Sequence, residues 1–156
     1  MDLAHLTDAE LAAQPTTYWT GVAHEALSAF TRARQAEFGF SQPQFWLLRH
    51  LSTNDLSPDG RGMTIPELAH AMRTYLRPED DLGAEADVLL GRGWLTRDGE
   101  SRWSITDAGE RARIGMKERA PAIRALIHAG IDDADYAAAL RVLDRLIRNV
   151  TDPAGR

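Results

Sequence analysis

The chain has 156 residues, 44% hydrophobic and 26% charged, which is the size and composition of one soluble globular domain and excludes a disordered or membrane-embedded chain. Lys and Arg total 18 against 23 Asp and Glu, so the net charge is −5; this argues against a generally cationic nucleic-acid coat but leaves room for a local basic surface. With no cysteine, the chain can form no disulfide, thiolate zinc site, iron–sulfur cluster or thiol switch. Lys117 is the one lysine, and the other cations are arginines, whose planar fork suits phosphate, base edges and carboxylates. No apolar run is long enough to span a bilayer, and Met1–His5 lacks the basic start and apolar stretch of a secretion signal. The expectation is a cytoplasmic protein with no membrane partner.

Residues 1–15 read as a short arm, with Thr7 and Glu10 at capping-box spacing, an apolar side from Leu3, Leu6 and Leu11, and a break at Pro15. A long helix follows from Thr16 to about Glu37. Its stripe is Trp19, Val22, Ala23, Ala26, Phe30 and Ala33, and Gly39 suits its C-cap. Ser41 caps a second helix, with Pro43 in the first turn and Phe45, Leu48 and Leu51 on one face. Residues 52–62 are turn chemistry throughout. Thr64 with Glu67 opens a short third helix carrying Leu68, Ala69 and Met72. A fourth helix is expected over 78–92, starting at Pro78, ending near Gly91 and burying Leu82, Ala86, Leu89 and Leu90.

Trp94–Arg97 and Arg102–Ile105 alternate like strands about Asp98-Gly99, which predicts a hairpin. Thr106 caps a long helix, with Gly115 and Pro121 as sites of bending and Gly130 closing it. Asp132 or Asp133 caps the last helix, whose stripe is Tyr136, Ala139, Leu140, Leu143, Ile147 and Val150; the tail from Thr151 reads as loose. The order gives a mainly α fold, a winged helix-turn-helix with a two-stranded β-wing and flanking N- and C-terminal dimerisation helices. The outer stripes are longer than one small winged domain can cover, so pairing with a second copy is the economical solution.

Four stretches carry a family resemblance. They are Gly39-Phe40-Ser41-Gln42-Pro43-Gln44-Phe45 with Leu48 and Leu51, Thr64-Ile65-Pro66-Glu67-Leu68-Ala69, Leu89-Leu90-Gly91-Arg92-Gly93-Trp94-Leu95, and Ser104-Ile105-Thr106-Asp107-Ala108-Gly109. In this order and spacing, over about residues 16–150, the chain resembles the MarR (multiple antibiotic resistance regulator) family of bacterial transcription factors. The resemblance implies an obligate homodimer on pseudo-palindromic operator DNA and a small-ligand pocket between dimerisation helices and winged domain. It implies one MarR-like domain over 1–156, with residues 16–38 and 107–150 as dimerisation helices and 41–106 as the winged helix-turn-helix. The expected function is ligand-responsive transcription regulation, as a repressor, without a cofactor.

Two stretches depart from the family pattern. Residues 72–82 are about three residues longer than its usual turn, and they place Glu79, Asp80 and Asp81 at the expected start of the fourth helix, with Glu85 and Asp87 further along. Helix-turn-helix proteins point that end at base edges. One like-charge contact there costs on the order of 4 kcal/mol at 4 Å and intermediate dielectric, against ~1–3 kcal/mol for a mismatched base pair. The wing tip, Asp98-Gly99-Glu100-Ser101, is short, and from Arg73 to Trp103 five arginines face seven acids. These features motivate an alternative: a winged-helix dimer that has lost DNA binding and serves as a ligand-binding or protein-interaction module.

Arg73, Thr74, Tyr75 and Arg77 are the candidate phosphate donors before the fourth helix; the competing reading is a solvated turn whose arginines pair with Glu79–Asp81. Arg97 and Arg102 flank the wing tip and would reach a minor groove or backbone, or else pair across the strands with Asp98 and Glu100. Glu79–Asp81 is read as acids favouring a helix N-terminus rather than as cytosine readers. Trp19, His24, Trp46, Arg49 and His50 are candidate ligand-pocket residues, competing with plain core packing, while Phe30 and Phe45 read as core. An arginine between aromatics favours an anionic aromatic ligand, a phenolic or carboxylic acid. Enzyme chemistry finds no motif. His24-Glu25 lacks a second histidine, the five histidines are scattered, Asp132–Asp135 lacks a calcium-loop glycine, and there is no nucleophile elbow or phosphate-binding glycine motif.

Overall fold

The computed structural model describes residues 3–152. Its elements run α1 (Asp8–Ala12), α2 (Thr16–Ala36), α3 (Gln42–Leu51), α4 (Ile65–Met72), α5 (Leu82–Gly91), β1 (Leu95–Arg97), β2 (Trp103–Ile105), α6 (Asp107–Ile127) and α7 (Asp133–Thr151). The fold is mainly α with a two-stranded antiparallel hairpin, a winged helix-turn-helix. Contacts divide the chain into two compact units, residues 1–119 and 120–156.

In the first unit, three helices start on complete capping boxes: Thr7 with Glu10, Ser41 with Gln44, and Thr64 with Glu67. After α2 the chain reverses through Gly39 at φ +75°, a conformation that favours glycine. The fourth helix begins at Leu82, not at Pro78. Asp80 accepts the Arg77 backbone N–H at 2.8 Å, which folds residues 77–80 into a turn of their own. Asp81 then caps α5 by accepting from the Ala84 N–H at 3.0 Å. The buried stripe of α5 is Leu82, Ala86 and Leu89, and Leu90, one residue past it, is 38% exposed instead of buried.

The core gathers Leu47, Leu48 and Leu51 of α3, Leu68 and Met72 of α4, the α5 stripe, Leu95 and Trp103. Full burial of each leucine stabilises by roughly 1.5–3 kcal/mol. The wing pairs Leu95 with Ile105, Thr96 with Ser104 and Arg97 with Trp103. Met63 adds a rung that the sequence pattern does not signal, exchanging two backbone hydrogen bonds with Trp103 at 3.0 and 2.8 Å. The loop before α4 is thereby tied to the wing. Thr106 starts α6: its hydroxyl donates to the Gly93 carbonyl at 2.7 Å and accepts the Gly109 N–H at 3.1 Å. A Cβ at Gly109 would lie 2.1 Å from the Trp94 carbonyl oxygen, so only glycine lets α6 approach the wing.

In the second unit, the turn after α6 passes through Gly130 at φ +77°. Asp132 caps α7, accepting from the Ala134 N–H at 2.7 Å. No residue of α7 is buried. Thr151, read as tail, is the last residue of α7, and its hydroxyl donates to the Ile147 carbonyl at 2.9 Å; residues 153–156 lie outside the described residues.

Candidate nucleic-acid interface

Helices α4 and α5 and the turn between them form the helix-turn-helix, and α5 packs its buried stripe on α3 and α4. Its outward residues are Ala84, Asp87, Val88 and Gly91, spaced as one helical stripe. The sequence of α5, LGAEADVLLG, contains no arginine, lysine, asparagine, glutamine, serine or threonine. Its other carboxylate, Glu85, is held by the Gln44 side-chain amide at 2.6 Å.

The four candidates before α5 do not act as a set. Arg73 and Thr74 are exposed, and Arg73 donates to the His70 carbonyl at 2.8 Å. Arg77 is half-buried, 4.0 Å from Glu79. Tyr75 turns the other way. Its ring stacks on Trp46 at 4.0 Å and its hydroxyl bonds His50 Nε2. Asp80, expected at a helix start, is instead gripped by Arg32 of α2, and the Arg32 hydrogen bonds hold its carboxyl below the usual range despite burial.

On the wing, Arg97 is exposed, with its guanidinium 5.2 Å from the centroid of the Trp103 ring. Arg102 does not pair across the strands. Its fork reaches back to Glu67 of α4 at 2.9 and 3.3 Å. Asp98 closes the tip instead, accepting the backbone N–H groups of Glu100 and Arg102, both at 2.9 Å, while Ser101 takes φ +59°. Arg61 joins the exposed cations from the loop before α4, 3.8 Å from Asp59; its place in a long polar loop hid it in the sequence.

The ligand candidates split three ways. Trp46, Arg49 and His50 come together on α3, with Tyr75 across from them. Arg49 lies over Trp46 at 4.4 Å and Phe45 at 5.8 Å, the aromatic setting foreseen. Its fork, however, is already taken by Asp55 at 3.1 and 3.0 Å, so it offers no open charge to an anion. Asp55 also accepts from Arg113 at 3.0 Å, and Arg113 binds Glu110 at 2.7 Å. Glu110 accepts further from Ser52 and Asn54, and with Arg113's hydrogen bonds first among the causes its pKa falls to about 2. Burial would raise the Asp55 carboxyl, but Arg49 and Arg113 hold it low. Sequence reading missed this network because its members lie up to 58 residues apart. Burial, then the Arg49 charge, lowers the His50 pKa and favours the neutral ring.

His24 sits elsewhere, in a groove of about 420 Å³ with Glu25, Ala29, Arg77, Pro78 and Glu79. Trp19 stands near the start of α2, its indole N–H 3.5 Å from the Gln14 side-chain oxygen. Among the described residues, no group of three or more histidines and carboxylates is placed to hold a metal ion, and no helix is long and apolar enough to cross a membrane.

No protein-family model matches the chain, and no curated protein sequence does. Solved structures do. A MarR family transcriptional regulator from Silicibacter pomeroyi superimposes with a TM-score of 0.66 at 20% identity, covering 94% of this chain and 100% of that one. The MarR family protein Rv2887 of Mycobacterium tuberculosis gives 0.65 at 20% identity, covering 86% and 97%. The chain has the MarR fold. Rv2887 is also solved with p-aminosalicylic acid, at TM-score 0.63 and 20% identity over 85% of this chain and 98% of that one. Within the MarR fold, α5 is the second helix of the helix-turn-helix and β1–β2 form the wing. The exposed arginines of residues 41–106, Arg61, Arg73, Arg92 and Arg97, lie outside α5 itself, and Arg92 donates to the Gly39 carbonyl at 2.9 Å.

Proposed function

We propose that the protein is a homodimeric DNA-binding regulator of the MarR type, a ligand-responsive repressor on pseudo-palindromic operator DNA, acting as one domain without catalytic activity. The observation that carries this is a complete helix-turn-helix and wing whose flanking Arg61, Arg73, Thr74 and Arg97 are exposed and available to phosphate. The uncovered apolar stripe of α7 supports pairing with a second copy. Dimerisation would set two recognition helices at half-sites one helical turn apart.

The ligand class inferred is a small aromatic acid, the class solved with Rv2887. In this chain the place inferred for it is the groove beside His24 and Arg77, where Arg77 is only 4.0 Å from Glu79, rather than Arg49, whose fork Asp55 holds through two hydrogen bonds. Ligand there would press on the turn leading into α5, and so shift the balance between binding and non-binding dimers. Fluorescence anisotropy with upstream DNA at two salt concentrations tests the reading. Salt-sensitive, sequence-dependent binding supports it. No binding at low salt by an intact dimer supports the second reading, a module that has left DNA. The donor-free α5 favours that second reading.

A further inference from the structure

We propose that α5 reads DNA without a hydrogen-bond donor: Ala84 and Val88 meet thymine methyl groups and Asp87 accepts from a cytosine amino group, so the half-site pairs are read at their thymine and cytosine edges and not at a guanine edge. This rests on the DNA-binding reading above. The recognition helix of a helix-turn-helix lies in the major groove, where each base pair shows its own pattern of donors, acceptors and methyls. Reading guanine N7 and O6 needs two donors, and reading adenine needs a donor beside an acceptor. Residues 82–91 carry neither kind of side chain. What the outward stripe offers is two small apolar groups and one carboxylate.

The carboxylate available is Asp87. Asp81 is occupied as the α5 cap and Glu85 by Gln44, whereas Asp87 is exposed and makes no hydrogen bond or ion pair among the described residues. A carboxylate repels the acceptor pair of guanine and accepts from cytosine N4, so it selects by rejection as well as by attraction. Val88 is 44% exposed with no core role, which suits a methyl contact. Ala84 and Val88 are four residues apart, about 6 Å along a helix, close to two steps of ~3.4 Å along a DNA strand. Two thymines about two steps apart, with a cytosine beside one of them, is the expected core. Phosphate attraction is supplied from outside α5, by Arg61, Arg73 and Arg97.

The test is selection of bound duplexes from a random pool with the full chain, followed by anisotropy on the winner. Replacing its half-site thymines by uracil removes only methyl groups and is expected to weaken binding about fourfold per methyl. Asp87→Asn is expected to lose about tenfold of the discrimination for cytosine at one position, with helicity unchanged. Binding weakened when 7-deazaguanine replaces the half-site guanines, uracil duplex bound as tightly as the thymine one, or unchanged cytosine preference in Asp87→Asn overturns the proposal. Salt-dependent binding with no preferred sequence also overturns it but leaves the protein a DNA binder. No binding even at low salt sinks the DNA-binding reading itself, and this one with it.

Discussion

Arg32 of α2 closes a two-pronged ion pair on Asp80, with Nη1 2.9 Å from Oδ1 and Nη2 2.7 Å from Oδ2. The Asp80 side chain is 7% exposed and that of Arg32 20%, so the pair is largely out of water. Since Asp80 also accepts the Arg77 N–H, the clamp holds α2 to the turn that launches α5. Asp80→Asn leaves the Arg32 charge unbalanced in a poorly hydrated place. The expected cost is about 2–4 kcal/mol, measured by urea denaturation. A cycle with Arg32→Met should show a coupling of at least ~1 kcal/mol; strictly additive losses would mean the two side chains act independently.

Acid should undo a second knot. The folded-state pKa of Glu110 is about 2, against an ordinary 4.5. A group lowered in this way stabilises fully above its unfolded value, and the contribution fades as pH falls from about 4.5 towards 2, where the unfolded chain binds more protons. About 2 kcal/mol should be gone by pH 3. Asp55 and Asp80 are shifted in the same direction and add to the loss. In Glu110→Gln the fall in stability between pH 5 and pH 3, followed by denaturation at each pH, should be shallower by about that amount. An equally steep fall would place the titrating groups elsewhere.

The fold was legible where the signal is local. Capping boxes at Thr7 and Thr64, the cap at Ser41, the turn at Asp98-Gly99 and the α7 stripe each need only neighbours within a few residues. Ion pairs decided what was misread. Of the acids read as favouring a helix start, Asp81 does cap α5, but Asp80 is drawn across 48 residues to Arg32, and α5 begins at Leu82 rather than Pro78. Arg102 has two acids near it in sequence and its guanidinium pairs with neither, because pairing of Trp103 with Met63 brings Glu67 within reach. Arg49 shows the same limit: its aromatic setting is written in adjacent residues, but its neutralisation by Asp55 depends on how the loop after α3 folds back.

That difference between the wing arginines predicts unequal effects on DNA binding. Arg97 is exposed and has no carboxylate partner among the ion pairs of the wing, so Arg97→Ala should lower the salt slope of log K by about 0.9 and weaken every sequence alike. Arg102 must first leave Glu67, so Arg102→Ala should change the slope less. Glu67→Gln should free Arg102 and tighten non-specific binding. Anisotropy over a salt series reads all three, and equal slopes for Arg97→Ala and the parent would remove Arg97 from the interface.

The α7 stripe makes the dimer testable apart from DNA. Leu140 is 49% exposed, Ile147 60% and Val150 78%, along a helix with no buried residue. A solvated helix does not repeat large apolar side chains at spacings of three and four unless something covers them. If a second copy does so, the exposed part of each of these side chains is buried twice per dimer, for roughly 2–5 kcal/mol per position. Ile147→Glu should therefore weaken dimerisation by two to four decades, giving monomers by sedimentation at micromolar concentration. Helicity by circular dichroism separates loss of pairing from unfolding, and Val88→Ala, on α5, should leave the dimer intact. A parent protein that sediments as a monomer at tens of micromolar would leave the stripe without the partner proposed for it.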